Sequence, residues 1–159
     1  MLDHKGFDLW ADGYDKAVGI SDEKNSYPFA GYKEILGRIY QIIMEKPGVT
    51  VLDIGFGTGT LTTKLYENGC IIYGQDFSSR MIELASAKMP EAHLFQGDII
   101  NGLVVPLLLQ RYDFIVATVP GSYSPVIPAF YWADAVFSYL SGEGENGIIT
   151  LYVYPEEGR

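Results

Sequence analysis

Three glycines and three carboxylates carry most of the chemistry in this chain. Gly55, Gly57 and Gly59 fall at alternate positions in Val51-Leu-Asp-Ile-Gly-Phe-Gly-Thr-Gly-Thr60, where a β-branched run passes into helix-forming residues. Glycine at the end of a strand lets the backbone turn sharply and approach a ligand, and the helix start beyond it offers unpaired amides. A dinucleotide fingerprint needs Gly-x-Gly-x-x-Gly, which from Gly55 demands glycine at position 60. That position is Thr60, and the spacing is Gly-x-Gly-x-Gly. Asp53, two residues before the first glycine, is a poor neighbour for a pyrophosphate and a good one for an ammonium group. The loop therefore favours a cofactor with an amino-acid end over NAD, and an NAD-dependent oxidoreductase is disfavoured.

Asp76 lies 21 residues past Gly55, at the end of the next apolar run. A carboxylate there can accept hydrogen bonds from both hydroxyls of a ribose. Phe77 beside it offers a face to an adenine ring. Asp98, in Gly97-Asp-Ile99, ends a third run. Its carboxylate can accept from an adenine amino group, while Ile99 offers a backbone amide. Each feature alone has an ordinary explanation: a tight turn, a charge on a helix dipole, an Asx turn. Three of them at the ends of three consecutive strands are hard to obtain from turn chemistry.

The elements that must position these residues alternate regularly. Ile35, Leu36, Ile39, Ile42 and Ile43 put one apolar face on a helix over 33–45, which Pro47-Gly48 ends. Strands follow at 49–54, 71–75, 93–96, 112–118 and 148–154, and helices at 60–68, 78–89 and 129–140. Gly69 is expected to be the left-handed residue that closes the first of those helices. The stretch containing Pro106 is expected to be irregular. Strands alternating with helices imply right-handed crossovers and a parallel sheet. The expected fold is a three-layer α/β sandwich with a mostly parallel, Rossmann-like sheet of about five strands. The domain is expected to be single over 1–159, with a helical lid at 1–46 and a cofactor-binding core at 47–159.

Composition narrows the partners. Of 159 residues, 48% are hydrophobic and 19% charged, which excludes a disordered chain. The single cysteine, Cys70, excludes an intrachain disulfide framework and a multi-cysteine metal site, and no metal is expected. Twenty acids against 11 bases give a net charge of −9, and no two bases are adjacent. Nucleic-acid binders set clustered Lys and Arg against phosphates, so nucleic acid is not an expected partner. Apolar runs fall short of the ~18 residues that span a bilayer, and residues 1–10 lack the apolar core of a signal peptide. No membrane partner and a cytoplasmic location are expected.

Taken together, these residues resemble the class I S-adenosylmethionine-dependent methyltransferases. The resemblance rests on Leu-Asp-Ile-Gly-Phe-Gly-Thr-Gly at 52–59, Gly-Gln-Asp-Phe-Ser at 74–78 with Met81 beyond it, and Gln-Gly-Asp-Ile at 96–99. Phe-Asp-x-Trp-Ala-x-x-Tyr-Asp at 7–15 is similar to the leader of a bacterial subgroup of uncharacterised small-molecule methyltransferases. The likeness is strong over about 7–118 and weaker from 119 onward. It implies S-adenosylmethionine as cofactor, S-adenosylhomocysteine as product and a small-molecule acceptor. It also implies cofactor contacts at Tyr14, Asp53, Gly55, Gly57, Gly59, Asp76, Phe77, Met81, Asp98, Ile99 and Thr118. Tyr14 would meet the cofactor's carboxylate.

No catalytic residue is assigned. His93 and Cys70 begin strands, at the end away from the expected site, and His4 lies in the leader. Pro120, Pro125 and Pro128 stiffen the segment after the fourth strand, where Ser122, Tyr123 and Ser124 supply hydroxyls. Relatives that methylate amino groups of bases or glutamine carry an Asn- or Asp-Pro-Pro-Tyr-like motif there, and this chain has Thr118-Val-Pro-Gly, which argues against that chemistry. A non-catalytic cofactor-binding module and an RNA or protein methyltransferase are the rival readings. The fold implied would continue with a helix and two more strands, so the strand at 148–154 is expected to be an apolar edge. Bare edges of this kind are rare, and a second copy of the chain or a longer form of the protein is expected to cover it. A homodimer would cover the fifth-strand edge, and gel filtration giving a stable, non-aggregating monomer would count against both.

Overall fold

The computed structural model describes residues 32–119 and 148–153. Helix α1 (Tyr32–Ile43) turns Leu36, Ile39 and Ile43 inward at helical spacing while Gly37, Arg38 and Gln41 stay exposed. Strand β1 (Thr50–Ile54) is buried from Val51 onward, because both of its faces are covered. Helix α2 (Thr62–Glu67) ends at Asn68, and Gly69 follows with φ 89°, the expected left-handed stop. Strand β2 (Ile71–Asp76) leads into helix α3 (Ser79–Lys88). Ser78 caps α3, its Oγ accepting from the Met81 amide at 3.1 Å. Strand β3 (His93–Gln96), strand β4 (Phe114–Val119) and strand β5 (Ile148–Val153) complete the sheet.

The strand order is β3-β2-β1-β4-β5, and every pairing is parallel. The chain therefore runs outward from β1 in one direction, then returns to the other side of it through β4. Two apolar clusters lie on opposite faces. One gathers Leu36, Ile39 and Ile43 of α1, Leu65 of α2 and Ala85 of α3 against Val51, Ile72 and Val116. The other gathers Leu52, Ile54, Ile115 and Ala117 around Leu107. A sheet covered on both faces is the expected three-layer sandwich. Among the described residues, β3 and β5 are its edges.

One local expectation is corrected. The stretch before β4 is not irregular throughout: it holds a 3-10 turn at Ile99–Asn101 and a short helix α4 (Val105–Leu108). Pro106 lies in the first turn of α4, where a missing N–H breaks no intrahelical bond, so the proline starts a helix rather than preventing one. Leu107 is wholly buried, which gives that turn its anchor. The expected leader helix, the residues of the lid before 32 and the helix at 129–140 lie outside the described residues.

Phe56, the residue between the first two glycines, folds back over the sheet onto Gly74. A Cβ at Gly74 would stand 2.5 Å from Phe56 Cδ1 and 3.0 Å from Leu94 Cδ2. The ring is buried. Gly74→Ala is expected to destabilise the fold by about 1–3 kcal/mol, as overpacking does. Urea denaturation reads this directly, and an unchanged midpoint would show that the ring is free to move.

Candidate functional site

Strand order decides where a ligand belongs. In an open parallel sheet, ligands sit beyond the carboxyl ends of the strands at the point where the order reverses. That point lies between β1 and β4. Register brings the strand ends level there: Ile54 pairs with Gln75 and Ala117, and Asp76 pairs with Gln96. Gly55, Asp76, Gly97 and Thr118, each at or just past the end of its strand's pairing with a neighbour, thus share one edge of the molecule.

The glycine loop follows β1. Gly55, Gly57 and Gly59 have φ of 73°, 59° and 82°, a region costly for residues with a Cβ. Space adds a second demand at Gly59, where a Cβ would lie 3.0 Å from Met89 Cε and 3.1 Å from Thr63 Oγ1. At Gly55 the same test finds open space, so that glycine answers to conformation alone. The Gly55 amide donates to the Gln75 carbonyl at 2.8 Å, and the Lys88 ammonium donates to the Thr58 carbonyl at 3.0 Å. The loop is held from β2 on one side and from the end of α3 on the other.

Asp76 joins the loop to β2. Its Oδ2 accepts from the Gly57 amide at 2.8 Å, and its Oδ1 accepts from the Ser78 amide at 2.9 Å. Charge-assisted bonds of this kind are about twice as strong as neutral ones. Its own carbonyl accepts from the Gly97 amide at 2.9 Å, which ties the loop after β3 to the same strand. Asp98, half-buried, heads the 3-10 turn that Ile99 begins. Phe77 is half-buried, and its carbonyl accepts from Gln96 Nε2 at 3.3 Å. Met81 is 3% exposed, with its amide used by the cap of α3. The backbone of Thr118 lies in β4 opposite Tyr152. Tyr14 lies outside the described residues.

Asp53 is 2% exposed in the middle of the sheet, and its Oδ1 has no hydrogen-bond partner among the described residues. Burial, and secondarily the charge of Asp76, push its carboxyl up from an ordinary 3.8 to about 8. Residue type alone does not reveal this, because the shift comes from how deeply the folded sheet buries the carboxyl. His93 stands at the amino end of β3 with its ring stacked on Tyr73, centroids 4.6 Å apart. Cys70 is buried against Met44 Sδ at 3.9 Å, just ahead of β2. Both lie across the sheet from the glycine loop, as their positions in the sequence suggest.

Comparison with known proteins agrees with this geometry. A family model described as a methyltransferase domain matches residues 51–130. An uncharacterized methyltransferase of Anoxybacillus flavithermus is 38% identical over 112 residues, which cover 70% of this chain and 50% of the relative. The chain thus spans about half the length of the curated relatives it matches. Among solved structures, the DhpI–SAH complex aligns with a TM-score of 0.64 at 15% identity, covering 92% of this chain and 65% of that one. A SAM-dependent methyltransferase from Geobacter sulfurreducens in complex with S-adenosyl-L-homocysteine aligns at 0.54 and 18% identity, covering 73% and 46%. At such identities the two structures establish a shared fold.

The buried Asp53 sets a pH dependence of defined sign. Its folded pKa lies above the unfolded one, so its contribution is complete below about 3.8 and is lost as pH rises to about 8. Asp53→Asn does not titrate. Relative to the variant, the wild-type chain is expected to lose stability on the order of 1 kcal/mol per pH unit across that window. Urea unfolding of both proteins over the range checks this, and parallel profiles would mean that Asp53 ionises normally.

Proposed function

This chain belongs to the methyltransferase-domain family, and from that premise we propose that it binds S-adenosylmethionine at the carboxyl end of the sheet and transfers its methyl group to a small molecule. The observation that carries the reading is the Gly57–Asp76 bond, which joins a left-handed glycine loop to a carboxylate at the point where strand order reverses. The site fits the cofactor's parts. Gly55, Gly57 and Gly59 form a cradle for the amino-acid end, with open space above Gly55. The unpartnered Oδ1 of Asp53 supplies an acceptor near that end for an ammonium group. Asp76 takes the ribose hydroxyls, Phe77 and Met81 flank the adenosine, and Asp98 and the Ile99 amide take the adenine. The resemblance adds Thr118 and Tyr14 to these contacts. The S-adenosylhomocysteine found with structural neighbours supports the same ligand here.

When bound, a sulfonium of this type supplies a methyl group that is already activated. The acceptor's lone pair forms a bond to the methyl carbon as the carbon–sulfur bond breaks, and S-adenosylhomocysteine leaves. What the chain's residues contribute is alignment and exclusion of water. A deprotonated amine or thiolate needs no general base, which agrees with His93 and Cys70 standing at the far end of the sheet. A small acceptor accords with the net charge of −9 and the scattered bases.

Calorimetric titration with S-adenosylhomocysteine tests the cofactor reading. The wild-type chain is expected to bind with a Kd of about 1–100 μM, typical of a small ligand held mainly by hydrogen bonds. Asp76→Ala is expected to weaken this by at least about tenfold, for the loss of charge-assisted bonds to the ribose and of the loop's support. No binding by folded wild-type protein overturns the reading. Production of S-adenosylhomocysteine from S-adenosylmethionine with small amines, thiols and hydroxyl compounds then separates an enzyme from a binding module.

A further inference from the structure

Gln75 is a polar residue at the buried carboxyl end of β2. It is 1% exposed, and it lies one residue before Asp76. Alternation along β2 places Ile72 with the α1–α3 side of the sheet and Tyr73 with the other, so Gln75 faces the layer that holds α4. Burying a carboxamide there is unfavourable unless each of its polar atoms is paired. Both are paired, and with backbone: Nε2 donates to the Gly102 carbonyl at 3.1 Å, and Oε1 accepts from the Val104 amide at 2.9 Å. Gly97 rests directly on the carboxamide, since a Cβ there would stand 2.9 Å from Gln75 Cδ and Nε2. One side chain thus bonds the far end of the segment after β3, at Gly102 and Val104, and packs against its near end at Gly97, with Asp98 and Ile99 between. The same residue's carbonyl accepts from Gly55, so its backbone holds one ligand loop while its side chain holds the other.

We propose that Gln75 is a positioning residue for the nucleobase: its carboxamide fixes the segment 97–104 from beneath, so that Asp98 and Ile99 are set to read an adenine before any ligand arrives. This rests on the cofactor reading above. A residue that merely filled the core would be replaced without loss by an apolar side chain of similar volume, such as methionine. A positioning residue would not, because the two backbone groups it pairs would be left to find other partners and the turn at 99–101 would lose its registration.

The test uses the full chain and two readouts. Hydrogen exchange in the absence of ligand reads the grip itself. In Gln75→Met the Val104 amide is expected to exchange at least about tenfold faster, the scale of one lost hydrogen bond, while the Gly55 amide, bonded to the main chain, is unchanged. Calorimetry with S-adenosylhomocysteine and with its hypoxanthine analogue S-inosylhomocysteine reads the consequence. The wild-type chain is expected to favour the adenine compound about tenfold, and Gln75→Met to reduce that preference to about twofold, with affinity for the analogue little altered. Loss of affinity for both compounds by one factor, or unaltered Val104 exchange, overturns the proposal. Should Gln75→Met not fold, Gly97→Ala pushes a methyl group into the same carboxamide and is expected to lower the same ratio. Wild-type protein that binds neither compound overturns the cofactor reading and this role with it, and the exchange result, obtained without ligand, tells the two failures apart.

Discussion

A glycine loop of three left-handed residues has little to hold it in shape, and here a carboxylate one strand away does so. The Gly57 amide points at Asp76 Oδ2 from 2.8 Å, and Ser78 fixes the other oxygen. Around this contact the site is assembled: the Gly55 amide is tied to Gln75, the Gly97 amide to Asp76, and the cap of α3 to Ser78. Each bond is a modest contribution, about 1 kcal/mol net. Their common effect is that three loops from three strands are referred to one short stretch at the end of β2 and the start of α3, residues 75–78.

The arrangement works because the sheet is parallel. Equal direction puts every strand's carboxyl end at one edge, and the crossover from β3 to β4 opens a gap there beside β1. His93 and Cys70 stand at the opposite edge, by the amino ends of their strands, in stacked and packed surroundings.

Two buried polar residues in the sheet have opposite fates. Gln75 has both polar atoms paired with backbone, and rigidity follows. Asp53 has an oxygen with no partner among the described residues, and it answers by keeping its proton to about pH 8. A satisfied amide is a strut, whereas an unsatisfied carboxyl is a site awaiting charge. Both lie within two residues of the glycine loop or of the carboxylate that supports it.

Much of this was legible along the chain. The β-branched runs, the helical stripe of Leu36, Ile39 and Ile43, the stop at Gly69 and the alternate glycines depend on neighbours within a turn or two, so their residue types sufficed to place them. The acids Asp76 and Asp98 were legible as strand-end residues for the same reason. Pro106 misled, because a proline breaks a helix or begins one according to whether a residue such as Leu107 finds a core to anchor the turn. The bonds that shape the site were not legible: Asp76 to Gly57 spans 19 positions, and Gln75 to Gly102 and Val104 spans 27 and 29. Nor was the state of Asp53, whose proton is held by the depth of burial in a sheet covered on both faces. Residue types thus indicated which groups have the chemistry to bind a ligand and at which strand ends they fall. Folding settled which of them are held, paired or charged, because those properties belong to contacts between strands that the chain order does not place side by side.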